Sequence, residues 1–238
     1  MSIPSDTKQN RQGDWLPVLF LFILAVDILL GWLRLEEWRY ISKPLLMRVL
    51  LIWFLMQAGA MRPLLKGLVV AALIFSWMGD VLLMLESQNS VFFMLGLGAF
   101  LLAHVYYIIF FYRLMRHLGT PIKSWIAILL LAYYGCLLYI LTPHLDTLLW
   151  PVRVYGLVIS VMLLLAAQFA FAGIGRAGRE IAIGALLFVL SDSVLAINKF
   201  YYSFAAAGAI VMLTYGLAQL LIIRGILLYL RQAAPREE

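Results

Sequence analysis

Two aspartates sit where an ionised side chain is costly. Asp80 interrupts the apolar run Trp77-Met-Gly-Asp-Val-Leu-Leu-Met-Leu85, and Asp192 interrupts Leu190-Ser-Asp-Ser-Val-Leu-Ala196. A charge in mid-membrane costs ~2.5–3.5 kcal/mol even on a lenient insertion scale, so such groups face a helix-bundle interior and have partners. Two carboxyls in apolar surroundings, one holding its proton and one ionised, are the equipment of general acid–base catalysis. Membrane acids accompanied by a lysine are also what proton-coupled carriers display. Either acid taken alone could serve only to hydrogen-bond two helices together. What argues for chemistry is the company they keep, which depends on the elements that carry them.

Those elements are set by the composition. Of 238 residues, 65% are hydrophobic and 13% charged, with a mean hydropathy of +0.98. Soluble domains average about half apolar and a quarter charged, so lipid must cover the excess. Eight apolar runs, near 15–33, 44–61, 65–86, 91–112, 124–142, 151–172, 180–199 and 204–230, each approach the length of a membrane-crossing helix. Strand alternation is absent, and helices satisfy the backbone in lipid. The chain is expected to be all-α: a polytopic transmembrane bundle of about eight helices over 15–230, with short tails at 1–14 and 231–238. The first run follows Lys8 and Arg11 without a small-residue cleavage site, and is read as an uncleaved helix. The one cysteine, Cys136, lies within the fifth run and is expected to be a buried free thiol.

Loop charges orient the bundle. Lys8, Arg11, Arg62, Lys66, Arg113, Arg116, Lys123, Arg176, Arg179, Arg231 and Arg236 fall on the side of the termini, against Arg34, Arg39, Lys43, Arg153 and Lys199 opposite. Both termini are therefore expected in the cytoplasm, and the net charge of +6 reflects topology and anionic lipid headgroups, not nucleic acid. At 1.5 Å per residue, most intramembrane polar groups fall into one layer between midplane and outer surface, with Arg48 and Gln168 the exceptions in the inner half. Lys43, Asp80, His104, Tyr155, Asp192, Asn198, Tyr215 and Gln219 belong to the layer. A scaffold would not need them all in one layer. Asp27, Arg48, His117 and His144 are read as structural, Arg48 snorkelling or paired and the two histidines at loop edges.

A shift of 112 residues sets Asp80 on Asp192, Lys43 on Tyr155 and His104 within one residue of Tyr215. Four helices per half preserve direction, so this would be a parallel repeat about an axis along the membrane normal.

The polar positions also carry a family resemblance, spread from Lys43 to Ile222. It runs through Lys43-Pro44, Ser76-x-x-Gly79-Asp80-Val-Leu-Leu, and Phe93-x-x-Gly96-x-x-x-Phe100-x-x-x-His104-x-x-Tyr107. It continues in Pro151-Val-x-x-Tyr155, Ser191-Asp192-x-x-Leu195-Ala-x-Asn198-Lys-Phe200 and Thr214-Tyr215-x-x-Ala218-Gln219. The chain resembles the YhhN family of membrane proteins, whose characterised members are lysoplasmalogenases. The resemblance implies hydrolysis of the vinyl ether bond of a lysoplasmalogen to a fatty aldehyde and glycerophosphoethanolamine or glycerophosphocholine. Such a bond is cleaved by protonating its outer alkene carbon, which leaves an oxocarbenium ion for water to attack, as in paired-carboxylate glycosidases. Asp80 then suits the acid and Asp192 the base or cation stabiliser, an assignment open to reversal, with His104 as proton relay or water-orienting group. Lys43 would take the headgroup phosphate, Tyr155 phosphate or glycerol oxygens, and Asn198, Tyr215 and Gln219 water or the glycerol hydroxyl, with Tyr107, one turn from His104, and Ser191, beside Asp192, counted among the substrate-binding residues. The alkenyl tail would enter the apolar inner half. No cofactor is expected. A metal is disfavoured because only one histidine lies in the layer, although two aspartates and a histidine leave that reading open. The expected partners are the lysophospholipid substrate and membrane lipids, and the expected location is a bacterial inner membrane. The alternative is a proton-coupled transporter or lipid-handling protein.

Overall fold

The computed structural model describes residues 13–59 and 61–233; Lys8, Arg11, Arg236 and most of both tails lie outside them. Among the described residues eight α-helices follow one another: α1 Leu16–Trp32, α2 Glu36–Gln57, α3 Pro63–Met84, α4 Val91–Leu118, α5 Ser124–Leu141, α6 Leu149–Gln168, α7 Gly175–Ala196 and α8 Ala207–Ala233. Seven are long and apolar enough to cross a membrane; α1, with 17 residues, is the short one. No strand occurs among the described residues. Arg231 pairs with Asp14 at 3.7 Å and donates to Gln57 at 3.1 Å. The start of α1, the end of α2 and the end of α8 therefore share one face of the bundle, here the terminal face. Tryptophans at helix ends point outward on both faces, Trp15 and Trp125 on one, Trp32, Trp38 and Trp150 on the other, as interfacial anchors do.

Boundaries differ from the sequence reading in an informative way. The second helix starts at Glu36 rather than near 44, because Glu36 and Glu37 supply the favourable acidic first turn. Pro44 is thus inside the helix, where it withholds an amide from the Tyr40 carbonyl. The fourth helix runs on past Arg113 to Leu118, and Gly119 ends it with a positive φ of 64°. Beyond α7, residues Ile197–Tyr201 form a π-helical turn closed by Tyr202 N–H on the Ile197 carbonyl at 2.8 Å. Such turns are rare and concentrate at functional sites.

The 112-residue shift is visible in the elements. It carries both ends of α3 onto the ends of α7, and the hairpins α3–α4 and α7–α8 are the most extensive packings of the two halves. Close approach in the second hairpin depends on small residues: a Cβ on Gly184 would lie 2.8 Å from the Ala218 carbonyl oxygen. In the first hairpin, a Cβ on Gly79 would lie 2.5 Å from the Phe100 ring. Helix α6 lies against both α4 and α7, whereas α5 packs mainly on α6 and turns most of its surface outward. Cys136 is on that surface and exposed, contrary to the buried thiol expected, because α5 buries little more than Ile126 and Leu141.

Candidate active site

The bundle opens at the face opposite the termini into a cavity of about 210 Å³. Asp80 from α3, Asp192 and Ser191 from α7, Lys43 from α2, Tyr155 from α6 and Tyr215 from α8 all line it. Each half contributes one acid and the partner that its own second helix supplies, α2 in the first and α6 in the second. Lys43 Nζ lies 3.8 Å from Asp80 Oδ1, and the Tyr155 hydroxyl donates to Asp192 Oδ2. The repeat thus places an ammonium in one half where the other has a phenol. Tyr215 from α8 also donates to Asp80 Oδ2, at 2.8 Å. Asp80 is 2% exposed and Asp192 partly open to the cavity.

Below the acids the bundle is closed by rings. Phe100, Phe188 and Tyr215 meet edge to face, with centroids 5.4–6.4 Å apart. His104 is fully buried behind this layer, its ring 4.7 Å from Phe188 and 5.5 Å from Tyr155. It does not line the cavity, and the geometry connects it to the acids only through Tyr155. Tyr107 and Gln219 lie deeper still. The Tyr107 hydroxyl donates to Gln219 Oε1 at 2.8 Å, and Gln219 Nε2 donates to Ser76 at 2.9 Å. These two residues correspond under the 112-residue shift, so the contact joins equivalent positions of the two halves. Ser191 lines the cavity while donating to the Val211 carbonyl at 3.0 Å. Asn198 is outside it: its side-chain oxygen accepts the Phe204 amide at 3.1 Å and ends the π-helical turn.

Sequence reasoning missed the mouth. Glu86, just past α3, and Lys199, in the π-helical turn, line the cavity with Phe93 and Phe200 and form an ion pair across its entrance. Charges at helix ends normally mark the water boundary, so neither attracted attention. A shallower groove beside it, lined by Glu36, Arg39, Tyr40, Lys43 and Glu86, shares Lys43 and Glu86 with the cavity. On the opposite side of Asp192, a small apolar crevice runs between α5, α6 and α7, lined by Leu137, Leu138, Leu141 and Ile159. Tyr155 and Asp192 belong to both the cavity and the crevice.

Asp27, Arg48, His117 and His144, read as structural, do not line the cavity. Asp27, fully buried, accepts the Ser42 hydroxyl at 2.6 Å and pairs with Arg39 at 3.4 Å. Arg48 stacks over Trp77 at 5.0 Å, His117 is in the last turn of α4, and His144 caps the Ile140 carbonyl. Among the described residues no three His, Cys, Asp or Glu side chains come together as a metal-binding group.

Eight helices among the described residues, seven of them long and apolar enough to cross a membrane, with two acids lining one open cavity, define an integral membrane protein. The chain belongs to the YhhN family, whose profile matches residues 38–226. It is 32% identical over 209 residues to lysoplasmalogenase TMEM86B of Mus musculus, covering 85% of this chain and 83% of that protein. It is 34% identical over 161 residues to a lysoplasmalogenase of Mycobacterium bovis, covering 66% of this chain and 59% of that one. It is also 30% identical over 191 residues to the Escherichia coli O157:H7 membrane protein YhhN, covering 80% and 88%. No solved structure matches the chain.

Proposed function

We propose that the protein hydrolyses the vinyl ether bond of lysoplasmalogens inside the membrane, by proton transfer between its two aspartates. The observation that carries this reading is the pair Asp80 and Asp192 on the wall of one open cavity. Their partners divide the labour, and they exchange the roles that the local sequence favours. Asp80, with the Lys43 ammonium beside it, is the carboxylate; Asp192, held by a neutral phenol, carries the proton. Asp192 gives that proton to the outer alkene carbon, and the ether carbon becomes an oxocarbenium ion. Water adds to this carbon and loses a proton to Asp80. The resulting hemiacetal collapses: its hydroxyl proton returns to Asp192, Asp80 protonates the departing glycerol oxygen, and aldehyde and alcohol separate. Both carboxyls end as they began, and the balance is one water consumed.

Tyr155 and Tyr215 hold the two carboxyl groups against the cavity wall. His104 acts through Tyr155 as a positioning residue, since it touches the cavity only by way of that ring. Lys43 bridges Asp80 and the lipid phosphate. The substrate's shape follows the spaces around Asp192, with headgroup and glycerol in the cavity and alkenyl tail in the apolar crevice. With the termini in the cytoplasm, both open in the outer half of the membrane, so the tail stays in that half instead of reaching the inner one. The ring layer beneath the acids favours hydrolysis over a proton-coupled carrier, which needs a polar path onward to the terminal face.

The test is incubation of purified protein with a lysoplasmalogen and with its saturated alkyl-ether analogue. Aldehyde should appear from the first alone. Release from neither, with intact lipid recovered, would leave the reading without support.

A further inference from the structure

The ion pair at the cavity mouth has an unusual setting. Lys199 reaches from the π-helical turn to Glu86, and the same ammonium lies over the face of Phe93, 4.9 Å from its centroid. Phe93 is buried and held edge-on by Phe200 at 5.9 Å. A carboxylate and an aromatic face converging on one point form a cation site, and aromatic faces with a nearby anion are how ammonium ligands are bound. The chain's own lysine occupies it. That occupant is easily displaced: Lys199 and Glu86 are about a third exposed, at 36% and 29%, and pairs so open to solvent are weak. Four methylenes let the lysine swing a short way without unfolding the turn. All four side chains line the same cavity as the two aspartates.

We infer that Glu86 and Phe93 form the recognition site for the terminal ammonium of a zwitterionic lysolipid headgroup, and that Lys199 holds the site until substrate arrives. The inference rests on the hydrolase reading and assigns the residues that read the ammonium end of its headgroup. The substrate's ammonium takes the place of the lysine on Glu86 and Phe93. Lys199, released, turns to the phosphate, which lies two carbons from that ammonium. One ion pair becomes two, and no charge is left unmatched at the mouth. A headgroup ending in phosphate gains only half of this. It can draw Lys199 away, but it then leaves Glu86 without a cation beside a dianion. The site therefore selects for amine-terminated headgroups over bare phosphate, and Lys199 serves both.

The test compares alkenyl lysolipids bearing ethanolamine with those ending in bare phosphate, using purified full-length protein in micelles. Wild type should show the lower KM for the ethanolamine lipid. Loss of a hydrogen bond to a charged group should raise the ethanolamine KM of Glu86→Gln by about tenfold, with kcat within about threefold. Its KM for the bare-phosphate lipid should stay level or fall, so the preference collapses. Phe93→Leu should weaken the ethanolamine lipid in the same selective way, and Lys199→Met should raise KM for both. Equal shifts on both lipids in Glu86→Gln, or none, overturn the inference. A second arm separates it from the hydrolase reading: binding of saturated alkyl-ether lysolipids with the two headgroups, followed by tryptophan fluorescence. A wild type that releases no aldehyde but prefers the ethanolamine ether lipid, with the preference lost in Glu86→Gln, refutes the hydrolase reading and keeps the headgroup site. Aldehyde release with no headgroup preference in either arm does the reverse.

Discussion

Asp80 has Lys43 and Tyr215 beside it and Asp192 has Tyr155, and at the scale of single residues the proposed mechanism rests on that difference. An amide can neither deliver the proton nor bear the charge. Asp80→Asn and Asp192→Asn should therefore each cut aldehyde release by ~10²–10⁴, the usual span for lost acid–base function, while eluting as the wild type does in size exclusion. Near-normal turnover in either variant would remove that aspartate from the scheme. Lys43 touches both the acid and the proposed phosphate position, so Lys43→Met should lower kcat and raise KM together, by about tenfold in kcat/KM or more. A change in KM alone would confine it to the headgroup. The carbon protonation step leaves its own mark: if Asp192 has the proton in flight in the slow step, turnover should be severalfold slower in D₂O. An unchanged rate would move the slow step elsewhere.

At the scale of elements, the site depends on how closely two hairpins pack. Asp192 and Tyr215 stand on α7 and α8, which approach each other through Gly184 and Ala218. A leucine at 184 would drive into the backbone of α8, and overpacking of this kind costs about 1–3 kcal/mol or more. Gly184→Leu should lower the thermal midpoint in detergent and the yield of folded protein. KM of the folded fraction should stay close to wild type if the damage is to packing; a large change in KM at unaltered stability would contradict that view. The π-helical turn after α7 matters for a different reason. Its extra residue turns Lys199 and Phe200 toward the cavity, and Asn198 closes it by accepting the Phe204 amide. Asn198 therefore bears on the mouth through the turn rather than through contact with lipid.

At the scale of the whole molecule, eight helices bring both ends of the described chain to one face, joined by Arg231 with Asp14 and Gln57. The basic residues crowd that face, which predicts a cytoplasmic C-terminus. A fluorescent protein fused there should fluoresce in bacterial cells, and alkaline phosphatase fused there should be inactive; the opposite pair of results would invert the bundle and open the cavity to the cytoplasmic leaflet. The repeat gives the molecule its economy. Each half supplies one acid at positions related by the 112-residue shift, and lysine in one half against tyrosine in the other makes one acid unlike the other.

The sequence alone determined the class, the number of helices and the position of each polar group along its helix. Hydropathy is summed along a continuous segment, and depth follows from rise per residue, so neither needs knowledge of neighbours. It also paired Asp80 with Asp192 and Lys43 with Tyr155, because a repeat is written in the spacing. Tertiary structure decided which way each side chain faces around its helix and which helices meet. It put His104, Tyr107 and Gln219 behind the cavity wall, Asn198 in a turn and Cys136 on the outside of α5, though by depth His104, Asn198 and Gln219 had claims equal to those of the acids. It also brought Glu86 and Lys199 together across 113 residues of chain. Rotation about a helix axis and contact between distant helices are settled by packing, to which an apolar helix with many similar faces gives almost no local clue.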